Sequence, residues 1–133
     1  MKSVNEKQKK YMKEQKQAIY DDISTTFKLP VFEDEFAEDE RPTDNHFFLI
    51  VYGDMRKTDS PKKVRQDIYV VYTSENNPDV DSNTLDILTV VSKVKGIDFE
   101  RSMRERIKKG ETDYYYDRVT IIFSRSLQKE VTI

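Results

Sequence analysis

Side chains that could do chemistry are few in this chain. His46 is the single histidine among 133 residues, and cysteine is absent, which excludes disulfides, thiolate metal sites and thiol nucleophiles. The three glycines, Gly53, Gly96 and Gly110, form no phosphate-binding loop or dinucleotide fingerprint. We interpret His46 as a polar residue at the start of a strand, and a role as general base is the less favoured alternative.

Carboxylates remain as candidates, because they can hold Mg²⁺ for phosphoryl chemistry without any histidine or cysteine. They occur in the acidic stretch Glu33–Glu40 and as the pair Asp54 and Asp67. A nuclease of the Pro-Asp, then Asp/Glu-x-Lys type would carry that triplet after Pro78-Asp79, yet the only such triplet, Glu14-x-Lys16, precedes it. We therefore expect no metal, no cofactor and no enzymatic activity, and interpret the acidic stretch as solvated or as a docking surface for a basic partner.

A basic segment near the end of the chain offers a binding function instead. It contains five basic residues opposed only by Glu105, and three tyrosines follow it: Arg101, Arg104, Arg106, Lys108 and Lys109, then Tyr114, Tyr115 and Tyr116. Basic side chains beside aromatic ones are typical of single-strand nucleic-acid binders. Because the net charge is −2 and the pI about 5.5, we favour an exposed hairpin whose charges prevent edge-to-edge aggregation.

The first element that must position these residues is a helix over Val4–Phe27, which lacks Gly and Pro and is rich in Lys, Gln and Glu. Ile19, Ile23 and Phe27 repeat every four residues, so we expect only the C-terminal half to dock, with the lysine-rich first turns in solvent or awaiting a partner. Leu29-Pro30 ends the helix.

Strands are predicted on both sides of a second helix. Val31-Phe32 could form a short strand before the acidic loop; His46–Asp54 is apolar on both alternating faces and is interpreted as a central strand covered on both sides. The polar turn 57–63 joins it to Val64–Thr73 as an antiparallel hairpin.

The second half is predicted as helix, strand and strand. A helix capped by Asp81 or Ser82 runs to Lys95 and stops at Gly96. Ile97–Lys108 has a period of two and favours a strand, with a helical turn from residue 101 as the alternative. A turn leads to a last strand, Tyr114–Ser124, and residues 127–133 are interpreted as a flexible tail.

These elements predict one α+β domain, an antiparallel four-stranded sheet with helices packed on one face in the order α-β-β-α-β-β. We divide the chain into a partly exposed N-terminal helix, 1–28, and the domain 29–133. The first 20 residues are net positive and residues 21–45 net negative, which suggests contacts with charged surfaces. No apolar run approaches the ~20 residues of a membrane span, so we expect a soluble intracellular protein.

The order of motifs resembles the tail terminator or tail completion proteins of long-tailed bacteriophages. The resemblance spans nearly the whole chain and is carried by Leu29-Pro-Val-Phe-Glu-Asp-Glu, Pro42, Phe47-Phe-Leu-Ile, Val70-Val-Tyr, the helix 85–94 and Arg118-Val-Thr-Ile-Ile-Phe. It implies a structural virion protein that assembles as a ring, generally a hexamer, on the tail tube. This head-tail joining protein would stop tube growth and contact the head connector, with DNA passing through the ring.

This resemblance implies a location in the host cytoplasm during assembly and then in the virion, with no membrane partner. Ring closure needs two different patches that fit each other on neighbouring copies. Our candidate interface residues are Glu33, Asp34, Glu35, Lys62, Lys63, Arg101, Arg104, Arg106, Lys108, Lys109, Tyr114 and Tyr116. The alternative function is a small nucleic-acid-binding or regulatory protein that uses the basic hairpin 101–109.

Overall fold

Two helices and a five-stranded mixed sheet form the fold in the computed structural model, which describes residues 3–34 and 45–131. The predicted α+β class is confirmed. In chain order the elements are α1 (Val4–Phe27), β1 (Val31–Glu33), β2 (Phe47–Lys57), β3 (Lys63–Glu75), α2 (Val80–Ser92), β4 (Ile97–Lys108) and β5 (Tyr115–Gln128).

The sheet has the strand order β1-β2-β3-β5-β4, so the predicted four-stranded antiparallel sheet is wrong in two details. The short strand at Val31 joins the sheet as a fifth strand, and it runs parallel to β2. Two backbone hydrogen bonds fix it there, from Phe48 N to Pro30 O at 2.8 Å and from Asp34 N to Ile50 O at 2.6 Å. The predicted hairpins β2–β3 and β4–β5 both form, and β5 joins them by pairing with β3 along its whole length.

Helix α1 has the bounds that the sequence predicts. The Ser3 hydroxyl caps it by accepting a bond from Glu6 N at 3.1 Å, and Lys28 ends it in the left-handed region at φ 54°. The expectation that only its C-terminal half docks is wrong. The Tyr11 hydroxyl and the Gln15 amide both donate to Lys95 O at 3.0 Å, so polar bonds tie the middle of α1 to the loop before β4.

Gly96 makes that docking possible. Its φ is +87°, and a Cβ there would lie 2.1 Å from the Tyr11 hydroxyl oxygen. Only glycine satisfies both the backbone conformation and the close approach of the helix. The following strand, β4, runs over Ile97–Lys108 as predicted, and the helical alternative for its second half is wrong.

The core lies between the helices and one face of the sheet. Its fully buried side chains come from alternate positions of the three inner strands and from both helices: Phe48, Ile50, Ile68, Val70, Val119, Ile121 and Phe123 meet Ile19, Ile23, Ile87 and Val91. The alternating residues on the opposite face include Leu49, Val51, Tyr69 and Val71, which are half-buried. Within 3–34 and 45–131 no helix packs on this second face, so β2 is covered by helices on one side only.

The C-terminal strand is longer than predicted. It continues to Gln128, and Leu127 is only 3% exposed, so these two residues belong to β5 and not to the predicted tail. Lys129 N then donates to Lys62 O at 2.8 Å, and Glu130 N donates to Asn5 Oδ1 at 3.0 Å.

Candidate functional site

Strand β4 carries most of the predicted basic surface, and its pleat divides that surface in two. Arg104 lies opposite Val119, and Arg106 lies opposite Asp117, on the face that carries the helices. Arg101 lies opposite Ile122 on the second face, because a bulge between Phe99 and Arg101 changes the register. The basic residues therefore do not form one continuous stripe.

Asp117 holds the two arginines on the helix-covered face. Its carboxylate is completely buried and accepts hydrogen bonds from Arg106 Nε at 3.0 Å and Nη2 at 3.3 Å. Arg104 Nη2 lies 3.5 Å from the same carboxylate, and its Nη1 donates to Asp81 at 3.0 Å. The hydrogen bond to Asp117 raises the pKa of Arg106. Both arginines are thus engaged within the fold and bind β4 to β5 and α2.

The tyrosines and Lys109 lie around the β4–β5 turn. Lys109 pairs with Glu75, and this hydrogen bond lowers the pKa of the Glu75 carboxyl. Tyr114 is exposed, whereas the half-buried Tyr116 ring lies 6.0 Å from the Arg118 guanidinium. Tyr115 and Tyr116 are consecutive residues of β5 and face opposite sides of the sheet, so the pleat separates their rings.

Two basic side chains on β4 keep their charges uncompensated. Arg101 and Lys108 are exposed, and neither lies within 4.0 Å of an acidic group among the residues with described positions. They occupy the outer edge strand of the sheet. The free positive charge of the basic segment is therefore smaller than the sequence alone indicates.

The acidic residues lie at the opposite edge. Glu33 of β1 faces the helices and lies 3.3 Å from Lys16 Nζ. Asp34 is exposed, at φ 63°, and its Oδ1 accepts a bond from Tyr52 N at 3.4 Å. Glu35 and the rest of the acidic stretch lie outside the described residues. Because β1 and β4 are the two outer strands, Glu33 and Asp34 cannot meet the basic residues of β4 within one subunit.

Lys62 and Lys63 lie at a third location. Both are exposed: Lys62 ends the β2–β3 connection, and Lys63 begins β3 and lies opposite Gln128 near the C-terminal end of β5. Tyr114 is at the other end of the strands, where Glu75 lies opposite Tyr116. The predicted interface residues are consequently spread over two edges and two ends of the sheet.

Of the residues considered for catalysis, Asp54 lies at the β2 bulge that faces Asp67 of β3. Asp67 forms an ion pair with Arg56 at 2.7 Å, and Asp54 is exposed. Across residues 3–34 and 45–131, no group of three or more histidine, aspartate or glutamate side chains could hold a metal ion. In the same ranges neither helix has the length and apolar character that crossing a bilayer requires.

Two buried charged residues on β5 were missed by the sequence reasoning. Asp117 and Arg125 occupy the same alternating positions as Val119, Ile121 and Phe123 and point to the helix-covered side. That alternation was a usable signal, because a charged residue at a core-facing position must find a partner. Asp117 is paired with two arginines, whereas Arg125 donates hydrogen bonds only to neutral glutamines.

Comparison with known proteins does not assign the chain to a family. No protein-family model matches the sequence, and no curated protein matches it. Within the described residues, the sheet has two outer strands, β1 and β4, whose exposed charges differ, and an apolar face on which no helix packs. Exposed strand edges and apolar surfaces are common sites of contact with other polypeptides.

Proposed function

We propose that this chain is a structural virion assembly protein that caps the tail tube of a long-tailed bacteriophage and provides the interface that joins tail to head. The resemblance in motif order supports this function. Its partners are further copies of itself, the tail tube protein and the head connector proteins. Assembly takes place in the host cytoplasm, and the protein ends at the head-tail interface of the virion.

The observation that carries the proposal is the placement of opposite charges on the two outer strands of one sheet. The β1 edge ends in the exposed Asp34, and the β4 edge carries the uncompensated Arg101 and Lys108. The two edges face away from each other, so each can pair only with another molecule. Repetition of such a two-sided contact produces a closed ring when the rotation closes.

The second sheet face supports the same proposal. Leu49, Val51 and Tyr69 are half-buried and point away from the helices. A contiguous apolar surface of this kind is a common protein-contact region. In a ring, this face lies beside the next subunit or against the tube, so that water is excluded from it.

A nucleic-acid-binding function has less support. Arg104 and Arg106 are the centre of the basic segment, yet both are engaged with Asp117. Phosphate contacts require cationic side chains that are free to approach the nucleic-acid backbone and displace its condensed counterions. DNA in our proposal passes through the ring and is not read by the basic hairpin.

Mixing two variants, each with the charges of one sheet edge reversed, tests the two-sided interface. The first variant carries Arg101→Glu and Lys108→Glu on β4, and the second carries Asp34→Lys beside β1. Lysine already occupies a left-handed position in this chain at Lys28, so the second change is compatible with the backbone. We expect each variant alone to be monomeric by light scattering, under conditions in which the unaltered chain forms rings.

An equimolar mixture of the variants should assemble again, because each partner contributes one intact edge and the reversed charges of the other two edges are opposite to each other. The control is Asp59→Lys in the β2–β3 turn, which makes the same charge change away from both edges and should leave rings intact. A mixture that fails to assemble would contradict the proposal. Rings that survive in both charge-reversed variants would also contradict the proposal.

A further inference from the structure

A pocket with an uncompensated buried cation lies between α1 and the sheet, away from the β4 edge. Its volume is about 370 Å³, and its walls include Lys9, Met12, Lys13, Tyr52 and Arg125. Four of its eight lining residues are basic, and Asp34 is the single acidic one. The pocket is therefore strongly positive.

Arg125 is the unusual group in this pocket. It is 3% exposed, and its guanidinium bonds only to neutral acceptors, with Nε and Nη2 donating to Gln66 Oε1 and Nη1 donating to Gln15 Oε1. No carboxylate within the described chain lies at ion-pair distance from it. Burial lowers the pKa of Arg125, and only Tyr52 and Tyr11 act in the opposite direction. A buried charge without a counter-ion is costly, and a bound anion would remove that cost.

The remaining donors of Arg125 suit a carboxylate. A guanidinium has five N–H groups, and three are used by the two glutamines, which leaves one on each terminal nitrogen. One free N–H group on each terminal nitrogen of a single planar group can donate to the two oxygens of one carboxylate. The glutamines also fix the plane of the guanidinium before any ligand arrives.

The lysines add positive charge on one side of the pocket. Lys9, Lys13 and Lys16 are spaced four and three residues apart and therefore share one face of α1. Lys16 pairs with Glu33 at 3.3 Å, whereas Lys9 and Lys13 have no acidic partner among the described residues. Their charges raise the local concentration of an anion before it reaches Arg125.

Met12 and Tyr52 form an apolar part of the wall, beside the polar Asp34 and Gln66. The Tyr52 ring lies 5.2 Å from the Arg125 guanidinium and 5.5 Å from Lys16 Nζ, and Met12 lies beside it in the pocket wall. Burial raises the pKa of the Tyr52 hydroxyl, which has no hydrogen-bond partner within the described chain. A ligand here meets cations and an aromatic surface together.

We propose that this pocket binds an organic carboxylate that bears an apolar group. The carboxylate accepts from the two remaining Arg125 N–H groups, and the apolar group packs on Tyr52 and Met12. The source is either a small free acid or the C-terminal carboxylate of a partner polypeptide. The cations of this site lie away from Arg101 and Lys108 of β4, and Asp34 is the one residue that the pocket wall shares with the proposed ring interface.

Calorimetric titration of the full chain tests the site with defined probes. The probes are 3-phenylpropionate, a short peptide that ends in phenylalanine with a free carboxylate, and the same peptide as its amide. We expect 3-phenylpropionate, the peptide with the free carboxylate or both to bind when supplied at up to millimolar concentration. The amidated peptide should not bind. Binding of the peptide without the small acid would identify a polypeptide as the source.

Three variants locate the bound anion. Arg125→Lys keeps the charge but loses the planar pair of donors, so we expect affinity to fall at least about tenfold. The double variant Lys9→Gln with Lys13→Gln should weaken binding about threefold or more, and its changes are confined to the helix surface. The matched control Lys7→Gln, on the same helix but outside the pocket, should leave affinity unchanged.

The proposal is overturned if no carboxylate probe binds, or if the amidated peptide binds as well as the free one. The proposal is also overturned if the Lys9 and Lys13 double variant binds with the same affinity as the unaltered chain. This outcome counts whether or not the Arg125 variant folds. Binding of inorganic phosphate in place of every carboxylate would show that the site takes a different anion.

Discussion

Asp117 determines how much of the basic segment is available to a partner. Its buried carboxylate binds Arg106 through two hydrogen bonds and lies 3.5 Å from Arg104. The sequence identifies the arginines but not this engagement, because the pairing register of β4 with β5 decides which residue lies opposite each one. A one-residue shift would have placed both arginines on the open face.

Replacement of Asp117 by asparagine tests this residue directly. The amide keeps the shape but removes the charge, so Asp117→Asn should lower the free energy of unfolding by about 2 kcal/mol. Urea titration measures the change. Asp59→Asn, in an exposed turn, makes the same chemical change and should stay within about 0.5 kcal/mol. Equal stability of the two variants would mean that the buried carboxylate is not an anchor of β4.

Glycine substitutions separate backbone strain from close packing. Gly96 and Gly110 both have positive φ, at 87° and 62°, but an added Cβ at Gly110 would meet nothing within 4 Å. Gly110→Ala should therefore cost about 1 kcal/mol from the backbone alone. Gly96→Ala should cost about 1–3 kcal/mol more, because it also displaces Tyr11 and Gln15. Thermal or urea unfolding measures both changes. Similar losses of unfolding free energy in the two variants would contradict the contact of α1 with the loop at Gly96.

At the scale of elements, local signals predicted both helices and both hairpins, but α2 spans Val80–Ser92 with Asp79 at its N-cap, and the predicted cap at Asp81 or Ser82 and end at Lys95 are wrong. The bounds of α1 follow from its uninterrupted helix formers and from Pro30. The position of β5 between β3 and β4 could not be read from any local pattern, because it depends on how the chain crosses over through α2. The parallel pairing of β1 could not be predicted either, since a three-residue strand carries too few side chains to specify a partner.

Truncation tests the revised end of β5. A chain that ends at Ser126 loses the buried Leu127, and we expect its free energy of unfolding to fall by about 2–5 kcal/mol. A chain that ends at Glu130 keeps Leu127 and the bonds of residues 129 and 130 to Lys62 and Asn5. This longer chain should unfold like the full one. A shorter chain of unchanged stability would mean that residues 127 and 128 contribute nothing to the sheet.

At the scale of the whole molecule, one sheet has two different outer strands and, within the described residues, one face on which no helix packs. The candidate interface was only partly predictable, because sequence distance does not reveal that Asp34 and Arg101 lie on opposite sides of the domain. The same placement that prevents these groups from pairing within a subunit allows them to pair between subunits. Assembly held by such exposed charges should weaken as salt is added.

Electron microscopy of the purified chain mixed with assembled tail tubes tests the proposed function most directly. We predict a ring at one end of each tube and no further lengthening of capped tubes when more tube protein is supplied. The mixture with the Arg101 and Lys108 double variant should leave the tubes uncapped. Bare tubes that continue to grow in the presence of the folded, unaltered chain would contradict the central claim.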